Sequence, residues 1–260
     1  MIRLILLTFL GLTQMAMAQD QSVEMRDLLR SIHLDPAFRQ NLRERGYTGE
    51  RFEVMIDHTR KLYADKVIVG GLQRRIEAGL RAAGNKPDRA FFAQLDRTLS
   101  DAYDVGLTRL SNAERRRLFS IDHGFLRAIP ARDCTRALTG KLSPARGERL
   151  FDSYFVQLSP QRIADYQGLI RKATRLGLAK NAKHRTLSGT EIRRAEEAIF
   201  PQIDTMIGQQ KNANALYRAW AKGPAGIQRY ACTFTQMFGN AALALRGNTG
   251  DLAILYLITQ

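Results

Sequence analysis

Two short runs carry residue types suited to proton transfer. Asp57-His58 and Asp122-His123 each set a carboxylate beside an imidazole. Imidazole titrates near neutrality, and a carboxylate that orients it makes it a general base. Adjacent residues on a helix point about 100° apart, so neither aspartate faces its own histidine. Catalysis by His58, His123, Asp57 or Asp122 therefore requires a partner from another helix, across an interhelical cleft. His33 and His184 complete the histidines. None of the four falls in an HExxH or an i, i+4 pair, so no metal site is expected.

The chain has no GxSxG, no P-loop and no GxGxxG. Serine hydrolase, NTPase and dinucleotide readings lack their motifs, and no cofactor is implied. A glycosidase pair of acids has no fixed spacing and stays open. Glu148 and Asp152 share a helix face, with Arg146 and Arg149 close enough in sequence to make ion pairing the simpler account. Ser111, Ser143, Ser159 and Ser188 each precede a helical pattern and read as caps rather than nucleophiles.

The sharpest polar feature is 167–190, which contains no acidic residue. It carries Arg171, Lys172, Arg175, Lys180, Lys183 and Arg185, with His184 among them. Such a run docks phosphates or carboxylates, and arginine suits two-pronged contacts. The formal net charge is +15, from 40 basic and 25 acidic residues. An excess of that size attracts anionic partners.

Arg149-Leu150-Phe151-Asp152, followed by Tyr154, resembles the Arg-x-x-Phe-Asp-Tyr signature of lipase-specific foldases, which are periplasmic helical chaperones. Ser153 interrupts the signature, and the likeness covers about six residues, so no role is carried over from it.

The elements that position these groups follow from hydrophobic period and capping. Met25, Leu28, Leu29 and Ile32 recur at i, i+3, i+4, i+7 and predict a first helix. Asp35-Pro36 starts a second, which Gly46 ends. Thr48 starts a third, along Phe52, Ile56, Leu62 and Val67, that Val67 to Gly71 is expected to stop or bend. Asn85-Lys86-Pro87 reads as a turn. The next helix holds Leu95, Leu99 and Tyr103, with Gly106 closing it. Leu110-Ser111 with Glu114 is a capping box behind a hydrophobic staple, and Leu187-Ser188 with Glu191 repeats it. Leu158-Ser159-Pro160 opens the helix of Ile163, Tyr166 and Ile170, which Gly177 ends. Gly247 to Gly250 reads as a turn. Leu252 to Ile258 fits helix or strand. No stretch alternates with period two, so the chain is expected to be all-α: a single-domain bundle of short capped helices.

A tandem-repeat reading also presents itself. Ile56-Asp57-His58 returns as Ile121-Asp122-His123, and Phe92-x-Gln94-Leu95 as Phe155-x-Gln157-Leu158. These matches mark out units of about 65 residues at 48–110 and 111–180, and a weaker third copy, at 188–250, rests on Ser188, Ile203-Asp204 and Phe234-x-Gln236-Met237.

Residues 1–18 read as a secretory signal peptide: Arg3, an apolar run from Leu4 to Leu12, and Ala16-Met17-Ala18 as cleavage site. The run falls short of the roughly 20 residues that span a bilayer, and no later stretch is long enough. The mature domain is then 19–260, periplasmic or secreted. Cys134 and Cys232 are the only cysteines, and in an oxidising compartment they are expected to pair. The function expected is a non-catalytic binding or accessory protein. Its basic face would dock an anionic envelope polymer, lipid head groups or an acidic protein, with nucleic acid not expected there. The alternative is an envelope hydrolase with a His/carboxylate site in an interhelical cleft.

Overall fold

The computed structural model describes residues 25–82 and 89–259. The expected leader, 1–18, and the expected turn at 85–87 lie outside the described residues. What is described is all-α, with no strand among the described residues. The helices are α1 (Met25–Ser31), α2 (Pro36–Glu44), α3 (Gly49–Ala64), α4 (Lys66–Ala82), α5 (Arg89–Leu107), α6 (Asn112–Ala128) and α7 (Ala131–Leu138). There follow α8 (Pro144–Phe155), α9 (Pro160–Leu178), α10 (Gly189–Gly208), α11 (Ala213–Ala221), α12 (Pro224–Arg229), α13 (Ala231–Ala244) and α14 (Gly247–Thr259). A 3₁₀ turn, Ile32–Leu34, joins α1 to α2.

The helix starts follow side-chain chemistry. Asp35 accepts the Phe38 N–H ahead of α2, and Ser159 accepts the Arg162 N–H ahead of α9. Ser111 and Ser188 form full capping boxes with Glu114 and Glu191. Each cap answers an N–H that the first helical turn leaves without a partner. Thr48 stands at the head of α3, but its hydroxyl makes no cap bond.

Two boundaries differ from expectation. The break after α3 falls at Asp65, not at Val67 to Gly71. The Asp65 carboxylate accepts the N–H groups of Val67 and Ile68 and so starts α4, which runs on through Gly70-Gly71. Gly247 to Gly250 is the first turn of α14 rather than a loop, and Leu252 to Ile258 is helical. The apolar stretch from Ile227 divides at Tyr230 into α12 and α13. Gly106 and Gly177 do fall in the last turns of α5 and α9, but neither takes positive φ. Their role is packing.

The described residues cluster into two compact units. One comprises the described residues up to Leu110 together with Phe151–Arg185; the other comprises Ser111–Leu150 together with the described residues from Thr186 on. The expected repeat 48–110 falls in the first, whereas 111–180 is divided between the two.

In the first unit α9 is the axis. Ala102 and Gly106 on α5 meet Gly177 and Ala173 on α9, pair by pair and antiparallel. A Cβ on Gly106 would overlap the Ala173 carbonyl, and one on Gly177 the Ala102 carbonyl. Both alanines are fully buried. On α9's other flank α3 runs parallel to it: Arg51 donates to the Leu158 carbonyl, Gln167 reaches Met55, and Arg175 pairs with Asp65. Beneath lies a stack of Phe151, Phe155 and Tyr166, with ring centroids 4.2 Å and 4.9 Å apart around Phe155.

The second unit has its core around Phe119, Ile199, Ile203, Leu216, Phe234 and Ile254. Cys134 on α7 and Cys232 on α13 form a disulfide, Cα–Cα 5.5 Å. The α10 helix packs on α13 and α14. Arg116 of α6 donates to the Leu243 and Leu245 carbonyls at the end of α13.

Three stability outcomes are expected. The bridge closes a loop over a sequence separation of 98 residues, so the Cys134→Ser/Cys232→Ser variant should lose about 4–5 kcal/mol of unfolding free energy in urea titration. On α9, Gly168 has open space where a Cβ would go. Gly168→Ala should therefore gain about 0.5–1 kcal/mol, whereas Gly106→Ala should lose at least about 1–3 kcal/mol by forcing α5 and α9 apart.

Candidate functional site

A cleft of about 310 Å³ opens along the parallel pair α3 and α9. From α3 it is lined by Glu50, Glu53, Val54, Asp57, His58 and Lys61, and from α9 by Ala164, Gln167 and Arg171. The α9 residues recur at i, i+3, i+7, the face of that helix turned to α3. Glu50, Glu53, Asp57 and Lys61 recur at i, i+3, i+7, i+11 and make a polar stripe beside the buried stripe of Phe52, Ile56 and Tyr63. Carboxylates stand at the N-terminal end of the cleft. Cations stand towards the other end, with Lys61 on α3 and Arg171 on α9.

The Asp57-His58 pair diverges as helix geometry requires. Asp57 turns outward and binds Arg60 and Lys61, each at 2.6 Å. Burial alone would raise its pKa; the hydrogen bonds from Lys61 and Arg60 outweigh that and hold it below the usual carboxylate range. His58 turns inward and is 6 % exposed. Burial first, and the Arg171 charge second, push its pKa down to about 3, against a hydrogen bond to the Gln167 backbone and the charge of Asp57. An imidazole of that acidity is neutral at physiological pH and a poor match for general-base work near pH 7.

Gln167 forms the cleft's buried floor. It is 1 % exposed. Its Nε2 lies 3.5 Å from the Met55 thioether, a weak acceptor. Its Oε1 accepts no hydrogen bond from any described group. Such an acceptor costs about 1–3 kcal/mol unless a water or a ligand donates to it. Among the described residues Glu50, Glu53 and Arg171 make no ion pair.

Asp122 and His123 belong to the core of the other unit. The His123 ring stacks parallel to Phe119, centroids 6.2 Å apart, and Nε2 lies 2.9 Å from Asn240 Oδ1. A Cβ on Gly239 would overlap the ring, so glycine makes room for it. Burial lowers the His123 pKa and Arg127 adds to that, with the Asn240 bond opposing. Asp122 is buried beside it in the chain. These residues pack the helices α6 and α13; they do not line the α3/α9 cleft.

The six basic residues of the α9 segment part company. Arg171 lines the cleft. Arg175 pairs with Asp65 at 3.4 Å. Lys172, Lys180, Lys183 and Arg185 are exposed, the last three on the 179–188 connection. That connection is tied down where the Arg185 N–H donates to Thr108 Oγ1 at 3.1 Å.

Asp152 does not pair along its own helix, contrary to expectation. Arg45, between α2 and α3, clamps both its oxygens at 2.8 Å, and the Tyr47 hydroxyl donates to one at 2.9 Å. Burial, and the Asp152 charge, push the Tyr47 pKa up. Arg146 instead binds Asp133 at 2.7 Å. Of the residues that carry the foldase resemblance, Phe151 and Asp152 thus serve the core.

Glu50, Glu53, Lys61 and Gln167 do not stand out in the sequence, although the α3 stripe is there to read. Among the described residues no three His, Cys, Asp or Glu side chains group to hold a metal ion, and no helix is long and apolar enough to cross a membrane. No protein-family model matches the chain, and no curated protein or solved structure matches it.

The buried histidines set a pH dependence. Unfolded, His58 binds a proton below about pH 6.5; folded, it binds one only below about 3. The unfolded state therefore holds more protons between those values, and stability falls as pH drops through that window. From about pH 7 to about pH 5 the loss from His58 should be about 2 kcal/mol. His58→Gln should flatten the fall in urea midpoint over that range.

Proposed function

We propose that the chain is an exported, non-catalytic binding protein whose basic flank meets an anionic component of the cell envelope. The observation that carries this reading is the 179–188 connection. Its Lys180, Lys183 and Arg185 side chains stand exposed while its backbone is held to Thr108. A tethered cationic segment loses less freedom on contact with an anionic surface than a loose one. The absence of acidic residues from 167–190 keeps the local field positive. The disulfide supports an oxidising compartment, periplasmic or extracellular.

The hydrolase alternative has one observation on its side: His58 shares its cleft with Glu50, Glu53 and Asp57. Against it stand the low basicity of His58 and the engagement of Asp57 by Arg60 and Lys61.

The test is co-sedimentation of residues 19–260 with phosphatidylglycerol vesicles and, separately, retention on immobilised polyphosphate. Binding to one or both should weaken steeply with added salt, as exposed charge pairs do. Each of Lys180→Ala, Lys183→Ala and Arg185→Ala should weaken it roughly fivefold at low salt, while His58→Gln should not. Equal recovery at low and high salt, or capture only by an acidic protein, overturns the reading.

A further inference from the structure

The α3/α9 cleft is a second site, independent of the basic flank. Its chemistry is dipolar. Glu50 and Glu53 supply negative charge at one end, and Arg171 supplies a planar cation near the middle of α9. Between them, sunk in the floor, the Gln167 amide oxygen has no donor among the described groups. That oxygen sits on a side chain 1 % exposed, whose amide nitrogen lies 3.5 Å from the Met55 thioether. A ligand that fits must bring an ammonium group, an anionic group, and an N–H between the two.

The spacing narrows this further. Gln167 reaches Met55 and Arg175 pairs with Asp65, so Arg171, between them on α9, stands between those levels of α3, where His58 also lines the cleft. Glu53 and His58 are five residues apart on one helix, an axial separation of about 7–8 Å. An extended peptide of two or three residues spans roughly 7–10 Å. Its backbone N–H groups lie between its charged ends. A cleft of about 310 Å³ stands at the small end of the range for ligand sites.

We propose that the cleft binds a short zwitterionic peptide of two or three residues. Its ammonium lies at Glu50 and Glu53, its carboxylate on Arg171, and a backbone N–H donates to Gln167 Oε1. Lys61 is held by Asp57 and supplies background field rather than a contact. The neutral His58 imidazole closes the floor without adding charge.

The experiment is calorimetric titration of residues 19–260 with Ala-Ala and Ala-Ala-Ala, each also in N-acetylated and C-amidated form. The free peptides should bind, and capping either end should weaken binding about tenfold or more, since each end then loses a charge-assisted bond. Glu50→Gln/Glu53→Gln should reproduce the effect of N-acetylation and Arg171→Gln that of amidation. Gln167→Leu should weaken binding of both peptides without lowering thermal stability. Glu50 and Glu53 are exposed and Arg171 is half-buried, so the test holds whether or not Gln167→Leu folds. Lys180→Ala, on the basic flank, should leave peptide affinity unchanged. No heat of binding for either peptide at about 10 mM, an affinity weaker than any useful site, overturns the proposal. So does equal binding of capped and free peptides, or equal binding of putrescine, which would mark no more than an acidic surface.

Discussion

The close approach of α5 to α9 is the constraint from which the rest of the first unit follows. Two alanines and two glycines, Ala102, Gly106, Ala173 and Gly177, bring the helix backbones together with no side chain between them. Glycine permits that approach because it has no Cβ to displace. Dispersion attraction falls away steeply with separation, so a bulkier residue at this crossing would forfeit much of it. With α9 fixed against α5 on one flank, its other flank is presented to α3. The Gln167 amide, the Arg171 guanidinium and the start of the basic connection all inherit their positions from that arrangement.

Charge in this chain is handled in two ways. Buried Asp152 is saturated: it takes both prongs of Arg45 and the Tyr47 hydroxyl. The desolvation cost of buried ions is offset only when every lone pair is answered, and this network comes close to that limit. His58, buried beside the Arg171 charge, is instead held neutral near pH 7. Elsewhere the excess positive charge stays at the surface, where the α9 connection and the carboxylate-lined cleft are distinct electrostatic environments on one unit.

Much of the fold was legible because helix starts are local. Ser111-x-x-Glu114, Ser188-x-x-Glu191, Asp35-Pro36 and Ser159-Pro160 each declare a start within four residues, and each observed cap agrees. The all-α class and the Cys134–Cys232 bridge followed from equally simple rules. Apart from that bridge, what could not be read was what is set by a distant partner. Gly106 and Gly177 have the position of terminators and the function of spacers, which only the facing alanines reveal. The break at Asp65 was masked by the more conspicuous Gly70-Gly71. Asp152 has two arginines close in sequence and chooses a third over a hundred residues away. The cleft went unread for the same reason: its α3 stripe was visible, but its floor, Gln167, means nothing until α9 is laid beside it.

Neither unit is a continuous length of chain. The first draws in Phe151–Arg185 from beyond Leu110, and the second resumes at Thr186 once that excursion ends. No single cut in the coding sequence therefore yields an intact half. During synthesis, α6 and α7 must wait for the last seventy or so residues before their core can close. The covalent link between α7 and α13 can likewise form only once Cys232 has been made, near the end of the chain.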